Sequence, residues 1–501
     1  MHEQRAAVFL DRDGTLIEDV GFLRDPDQIR LFPDTIEALS RLAKRYELFI
    51  ITNQPGINTG QVTSREVAEV NLALDDLCKK KGIYIRDWFV CPHTRSDHCR
   101  CIKPNPFFIR QAAEKYGLDL TRSFIIGDHP HDVITGKELG VFGLYVLTGH
   151  GSSHLDELSE DQLVFHSLAQ AAAWIEKHPA PLDDLDRIIS HASEIIKSGG
   201  LVAFPTETVY GLGADAFNAR ACARVFEVKK RPLHNPLIVH IADHAQLNLL
   251  VEDISPTARK LMDRFWPGPL TLVFRKKSAV PDIVTAGQPT VAVRMPAHPM
   301  ATELIRRSGT PVAAPSANAF GRTSATSAQH VLDQLHNVCD VLIDGGACRV
   351  GVESTVISIT GEKPALLRPG SIGIEELEAT AETSFSRDVP FSANHLPSPG
   401  MMSSHYQTAT PLHIVADFRP FADLPDAGFL VFGKITETFS GPVRNLSPLN
   451  DLREAAVNLY RAMRELDALS LRFIVAKPLP EAGLGYAIND RLQKASYKTV
   501  A

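Results

Sequence analysis

Phe204-Pro-Thr-Glu-Thr-Val-Tyr-Gly-Leu-Gly213 is the stretch on which the fold of most of this chain turns. The apolar run before it reads as a strand that stops at Pro205, since proline cannot donate to a ladder. The hydroxyls of Thr206 and Thr208 then face a glycine-rich turn, where backbone can approach a small ligand closely. Further short apolar runs follow between Gly and Pro turns, at 237–241, 270–274, 291–293 and 341–343. That alternation predicts an α/β domain with a twisted sheet over 182–378.

Downstream, 379–411 is rich in Ser, Pro and Thr without periodicity and reads as a linker or lid. Beyond it, strand-like runs at 428–432 and 473–477 flank helical spacing at 451–466, which predicts a small Rossmann-like α/β domain over 412–501. Upstream, prolines at 179 and 181 mark a boundary. Residues 1–178 alternate strand-like and helix-like patterns, with strands at 6–10, 48–51 and 124–126, a helix at 34–45, and a last run at 141–147 that closes the series. This predicts a doubly wound parallel sheet with its site at the strand C-termini.

The totals agree with this division. At about 100–200 residues per domain, 501 residues make two to four domains. The net charge of −7 argues against a strongly basic nucleic-acid clamp. No apolar run approaches the roughly 20 residues that span a bilayer. The first residues show no charged-then-apolar-then-small signal pattern, so a cytoplasmic location is expected. Seven cysteines, three of them within eleven residues, fit a metal site better than a disulfide framework.

In the first domain, Leu10-Asp11-Arg12-Asp13-Gly14-Thr15 follows the first strand. Two aspartates two apart at a strand end project near one spot if the chain turns at Gly14. Such a pair can hold Mg²⁺, one carboxylate attacking phosphorus while the other gives a proton to the leaving group. Ile51-Thr52-Asn53-Gln54 ends a second strand and offers a hydroxyl and amides to a phosphoryl oxygen. Lys103 adds a compact positive charge. Ile126-Gly127-Asp128 brings a third carboxylate, with Asp132 four residues on to orient it. One Asp-x-Asp alone is commonly a solvated turn, but four such elements in this order are not.

These residues resemble the haloacid-dehalogenase (HAD) superfamily of phosphatases, in the subgroup of heptose-bisphosphate and histidinol-phosphate phosphatases. The resemblance covers most of residues 5–150. It implies Asp11 as nucleophile, Asp13 as acid/base, Thr52, Asn53 and Lys103 as phosphoryl ligands, and Asp11, Asp13 and Asp128 around Mg²⁺. A small sugar or amino-alcohol phosphate is the implied substrate. Cys91-Pro92-His93 and Cys99-Arg100-Cys101 resemble the zinc loop of the same subgroup. Three thiolates and one imidazole suit structural Zn²⁺, against the plainer reading of free cysteines beside a surface His. His98 competes with His93, and the resemblance favours His93. Ile102 stands where the subgroup usually has Arg, which removes a bidentate contact to a second phosphate.

In the central region, Lys229-Lys230-Arg231-Pro232 and Asn235-Pro236 read as a polyphosphate grip, and Ala314-Pro315-Ser316-Ala317-Asn318 as a constrained polar turn. Glu353-Ser354-Thr355 and Arg368-Pro369-Gly370 complete the set. Singly, each is more often a charged face, a turn or a helix cap. Together they resemble threonylcarbamoyl-adenylate synthases with a YrdC-like core, over about 185–375. Ser398-Pro-Gly-Met401 with His405-Tyr406, and Gly483 to Leu492, extend the likeness to the longer, two-domain members.

The resemblance implies a nucleotidyltransferase. Threonine takes up bicarbonate to give a carbamate, which attacks the α-phosphorus of ATP and releases diphosphate. The product feeds a transferase complex that modifies tRNA beside the anticodon. Thr208, His240, Arg294 and Ser354 are expected near threonine. Lys229, Arg231, Asn235, Ser316, Asn318, Ser324 and Arg368 are expected near ATP and its Mg²⁺. His240 also has the reading of a satisfied core histidine. Lys230 stands where Gly is usual, and Met402 to Thr408 departs from the usual linker. The competing readings are a carbamoyltransferase component, an RNA-binding module with RNA contact weak or indirect, and a chain whose main work is the phosphatase.

Overall fold

The computed structural model describes residues 5–159, 162–335, 338–387, 398, 400, 402 and 404–496. Of the expected linker, 388–397, 399, Met401 and Ser403 lie outside the described residues. The chain divides into two units, Met1–Arg187 and Ile188–Ala501. The division falls inside the helix Pro181–Lys197, a few residues beyond the expected boundary, because Pro181 opens that helix rather than ending a linker.

The first unit is built on six parallel strands: β1 (Ala7–Leu10), β2 (Glu47–Asn53), β3 (Ile85–Cys91), β4 (Phe124–Gly127), β5 (Phe142–Val146) and β6 (Leu163–Phe165). Their order is β3-β2-β1-β4-β5-β6. The strand order therefore reverses at β1, and the crevice beyond its C-terminal end is where ligands bind in such sheets. β1 and β4 are buried at every residue, as strands covered on both faces must be. The predicted parallel sheet is present, but the series does not close at residue 147. β6 is too short to show a period, and the helix Leu168–Lys177 after it buries Trp174 against Phe142.

The second unit holds two sheets among its described residues. The larger is mixed: β7 (Val202–Phe204), β8 (Gly211–Asp215), β9 (Ile238–His240), β10 (Leu270–Arg275), β11 (Thr290–Arg294), β12 (Val312–Ala313), β13 (Val341–Leu342), β14 (Thr355–Ser358) and β15 (Ala365–Arg368). Their order is β13-β7-β8-β12-β9-β11-β10-β14-β15. The smaller is parallel and Rossmann-like in its layering: β16 (Leu412–Ile414), β17 (Ala427–Val431), β18 (Val443–Asn445) and β19 (Phe473–Ala476), in the order β16-β19-β17-β18. Between its strands runs the helix Leu452–Asp467, capped by Asp451. The two sheets share apolar packing: Val209 and Val352 from the first lie in one cluster with Leu459, Tyr460, Met463 and Leu492 from the second. Among the described residues no helix is long and apolar enough to cross a membrane.

Candidate active sites

Each unit carries a cleft lined by residues that the sequence singles out. In the first, β1 delivers Asp11, β2 delivers Thr52 and Asn53, and β4 delivers Asp128 to a cavity of ≈ 440 Å³ that Lys103 also lines. Gly14 is required here. Its φ is +78°, and a Cβ on it would stand 2.1 Å from Asp128 Oδ2. Asp128 is further fixed by the His150 N–H at 2.8 Å.

The carboxylates sort into two groups. Asp11, Asp128 and Asp132 bring oxygens within 4.8 Å of one another. Asp13 is outside that group: Nε and Nη2 of the fully buried Arg12 donate to it, as does Gln54 Nε2 at 2.7 Å. Of the set expected around the ion, Asp11 and Asp128 group by their side-chain oxygens with Asp132, while Asp13 lines the same cleft outside that group. Burial raises Asp11 to about 7 and Asp128 to about 8, with the neighbouring carboxylates adding to the effect. Burial opposes the charge on Lys103, yet Asp11 at 2.6 Å and Asp132 at 2.5 Å hold it above the ordinary lysine range. Hard carboxylate oxygens crowded against their own repulsion fit a divalent cation such as Mg²⁺.

A second donor set lies in the loop that delivers Lys103. Cys91, Cys99 and Cys101 have Sγ separations of 3.3–3.6 Å, and His93 Nδ1 lies 3.4 Å from Cys101 Sγ. A tetrahedral Zn²⁺ with bonds of about 2.3 Å sets ligand atoms roughly 3.5–3.8 Å apart, so the four residues fit it. His98 is exposed in a left-handed cap and is not among the four.

In the second unit, Thr208, His240, Arg294 and Ser354 line one cavity with Arg231, Ser316 and Arg368. Seven of the eleven residues expected for threonine and ATP therefore converge. The other four support the walls. Lys229 Nζ donates to the Ser316 carbonyl at 2.6 Å and to that of Asn318. Asn235 accepts from Arg231 at 2.6 Å, Asn318 donates to Ala319 and Arg322 carbonyls, and Ser324 donates to Glu353.

The cations are unusual. Arg231 bonds only neutral acceptors, the Asn235 side chain and the carbonyls of Asn235 and Pro236, among the described residues. Lys229 likewise holds only carbonyls. Burial and mutual repulsion push Arg231 down to about 9 and Lys229 well below the lysine range. Buried cations without counter-ions make an anion site. Arg294 differs: its guanidinium is already paired with Glu207 and donates to Thr208 Oγ1 at 2.8 Å. His240 is no satisfied core histidine, since its Nδ1 is buried without a hydrogen-bond partner among the described residues. Burial, with Arg294 beside it, pushes it down to about 3, so it is neutral.

Gly400, His405 and Tyr406 line one side of this cavity, whose volume is ≈ 50 Å³. A Cβ on Gly400 would meet Arg368 Cδ at 2.7 Å. Sequence reasoning did not reach Arg12, His150, Tyr460 or Arg491. Arg12 and Arg491 lie inside stretches already singled out, Leu10–Thr15 and Gly483–Leu492, but their distant partners Asn71 and Glu353 are brought in by tertiary packing.

Fold and clefts together define an α/β enzyme with two separate active-site architectures. The family described as telomere recombination matches residues 194–370, and the threonylcarbamoyl-AMP synthase C-terminal domain matches 372–496. A HAD-hydrolase-like family matches 100–171. The threonylcarbamoyl-AMP synthase of Pyrococcus abyssi is 43% identical over 315 residues, covering 61% of this chain and 93% of the relative. That of Bacillus subtilis is 40% identical over 337 residues, covering 64% and 97%. The crystal structure of P. abyssi Sua5 complexed with L-threonine superposes with a TM-score of 0.58 at 41% identity, covering 62% of this chain and 94% of that one. The chain belongs to the threonylcarbamoyl-AMP synthase family and carries a HAD-hydrolase-like domain ahead of the synthase portion.

Proposed function

We propose that the second unit forms threonylcarbamoyl-AMP and diphosphate from threonine, bicarbonate and ATP, for tRNA modification, and that the first hydrolyses a small phosphomonoester with Mg²⁺. The observation carrying the synthase reading is the convergence of buried Arg231, held by neutral acceptors, with Arg368, Thr208, His240 and Ser354 in one cavity. The cations take the triphosphate, and the hydroxyls with neutral His240 take threonine without adding charge beside its amine. Arg294 orients Thr208 and contributes charge. The amine nitrogen bonds the carbon of bicarbonate and water leaves, giving a carbamate. The carbamate oxygen bonds the α-phosphorus as its bond to the diphosphate oxygen breaks. The chain's contribution is position and charge neutralisation.

In the first unit, Asp11 attacks phosphorus and Asp13 protonates the leaving oxygen. Asp13 then takes a proton from the water that releases phosphate from Asp11. Asp11, Asp128 and Asp132 would hold Mg²⁺, which supplies charge neutralisation at the phosphoryl group. Cys91, His93, Cys99 and Cys101 would hold structural Zn²⁺, pinning the loop that carries Lys103. Ile102 at the cleft favours a substrate with a single phosphate over a bisphosphate.

The test is diphosphate release by the full chain. It should require ATP, threonine and bicarbonate together, and release without threonine would sink the synthase reading. A panel of sugar and amino-alcohol phosphates, with Asp11→Asn as control, identifies the phosphatase substrate. Undiminished phosphate release by that variant would remove Asp11 as nucleophile.

A further inference from the structure

The C-terminal domain does more than cover the cleft. Glu353 lines the synthase cavity one residue before Ser354 and is 6% exposed. Two residues of the C-terminal domain hold its carboxylate. Arg491 Nε donates to Oε2 at 2.8 Å, and the Tyr460 hydroxyl lies 3.0 Å from each oxygen. Arg491 is fully buried, and its Nη1 donates to the Pro369 carbonyl at 2.9 Å. Its Nη2 has no hydrogen-bond partner among the described residues, and the guanidinium lies 5.2 Å from the centre of the Tyr406 ring, which itself lines the cavity.

One guanidinium therefore bridges the two strand-end segments that carry Ser354 and Arg368. Those residues complete the lattice from the catalytic side: Arg368 Nη2 donates to Ser354 O at 2.9 Å and lies 3.0 Å from its Oγ. Ser354 Oγ in turn lies 2.7 Å from Thr271 Oγ1. The same helix, Leu484–Ser496, ties the third wall, since Lys494 Nζ donates to the Gly400 carbonyl at 2.8 Å. A buried carboxylate held by three donors has one orientation, and the peptide after it is aimed accordingly.

We propose that Arg491 and Tyr460 are positioning residues of the synthase: through Glu353 and Pro369 they set the aim of Ser354 and Arg368 into the cavity. The proposal rests on the synthase reading above. It assigns the C-terminal domain a share in substrate binding that its separate sheet does not suggest.

The experiment compares full chains carrying Tyr460→Phe, Arg491→Lys or both, by threonine- and bicarbonate-dependent diphosphate release. Each single change should raise KM for threonine or ATP about tenfold, the effect of losing one hydrogen bond to a charged group. The double change should cost less than the product, because both act through one carboxylate. A purely structural role would lower the melting temperature and kcat while leaving both KM values unmoved, and that result overturns the proposal. Unaltered kinetics overturn it too. If Arg491→Lys does not fold, the near-isosteric Tyr460→Phe decides alone. A wild-type chain releasing no diphosphate would instead remove the synthase reading.

Discussion

Lys103 Nζ stands 2.6 Å from Asp11 Oδ1, although the two residues are 92 positions apart. Lys103 is buried and Asp11 partly so at the C-terminal end of β1, so the cation is the local counterweight to three crowded carboxylates. Lys103→Met should lower phosphatase kcat on p-nitrophenyl phosphate about 10²–10³-fold, as loss of one preorganised charge partner does. Lys103→Arg should rescue little, because the planar guanidinium does not fit the space between Asp11 and Asp132. Steady-state kinetics on the two variants read this directly. Activity near wild type in Lys103→Met would show that the ion pair is bystander geometry.

Zinc content separates two histidines five residues apart in sequence. His93 faces Cys101, and His98 is exposed. His93→Ala should lose bound zinc and weaken phosphatase activity through the Lys103 loop, whereas His98→Ala should keep one zinc per chain. Metal analysis after dialysis against a weak chelator measures both. Structural zinc sites contribute directly to local folding, so zinc loss should also expose the loop to proteolysis.

Legibility followed sequence distance. Asp11, Thr52 and Asp128 sit where strands of four to seven residues end, and apolar runs marked those ends. The Thr206–Thr208 turn was visible for the same reason. Asp132 was placed in a supporting role, four residues past Asp128. Only the turn of the short helix Pro130–Ile134 shows that its oxygen joins the cluster itself. Nothing local shows that Gln54, 41 positions on, joins Arg12 in holding Asp13. The Glu353–Arg491 pair, 138 positions apart, leaves no periodic trace. The pairing of Arg294 with Glu207 was hidden likewise.

His330 makes the second unit sensitive to acid. Its Nδ1 accepts from the Thr326 N–H at 3.2 Å, and burial, with Arg464 and Arg461 nearby, pushes it down to about 3. The unfolded chain binds a proton here below an ordinary pKa of about 6.5, while the folded chain does not. Unfolding therefore takes up one proton between those values, and stability falls as pH falls. The slope is about 1.4 kcal/mol per pH unit. His330→Asn keeps an acceptor for Thr326 and removes the titration. Denaturant titrations between pH 6 and 4 should show a shallower pH dependence for the variant by about that amount. Parallel curves would mean that the folded chain protonates His330 as readily as the unfolded one.

Lys230 permits a choice between two roles that its neighbours Lys229 and Arg231 suggest. It caps the helix Ala219–Lys229 with φ +53°, a left-handed conformation that disfavours any residue with a Cβ by about 1 kcal/mol. Its side chain is exposed, while Lys229 and Arg231 are buried in the site walls. Lys230→Gly removes the strain and returns some of the gain as entropy of the unfolded chain. The net expectation is a rise of about one or two degrees in the melting temperature of the synthase unit. KM for ATP should stay within a factor of about two, since exposed charges at this distance are screened by salt. A several-fold rise in KM for ATP, steeper at low salt, would instead make Lys230 a third phosphate-attracting cation. The strained cap would then be retained for function.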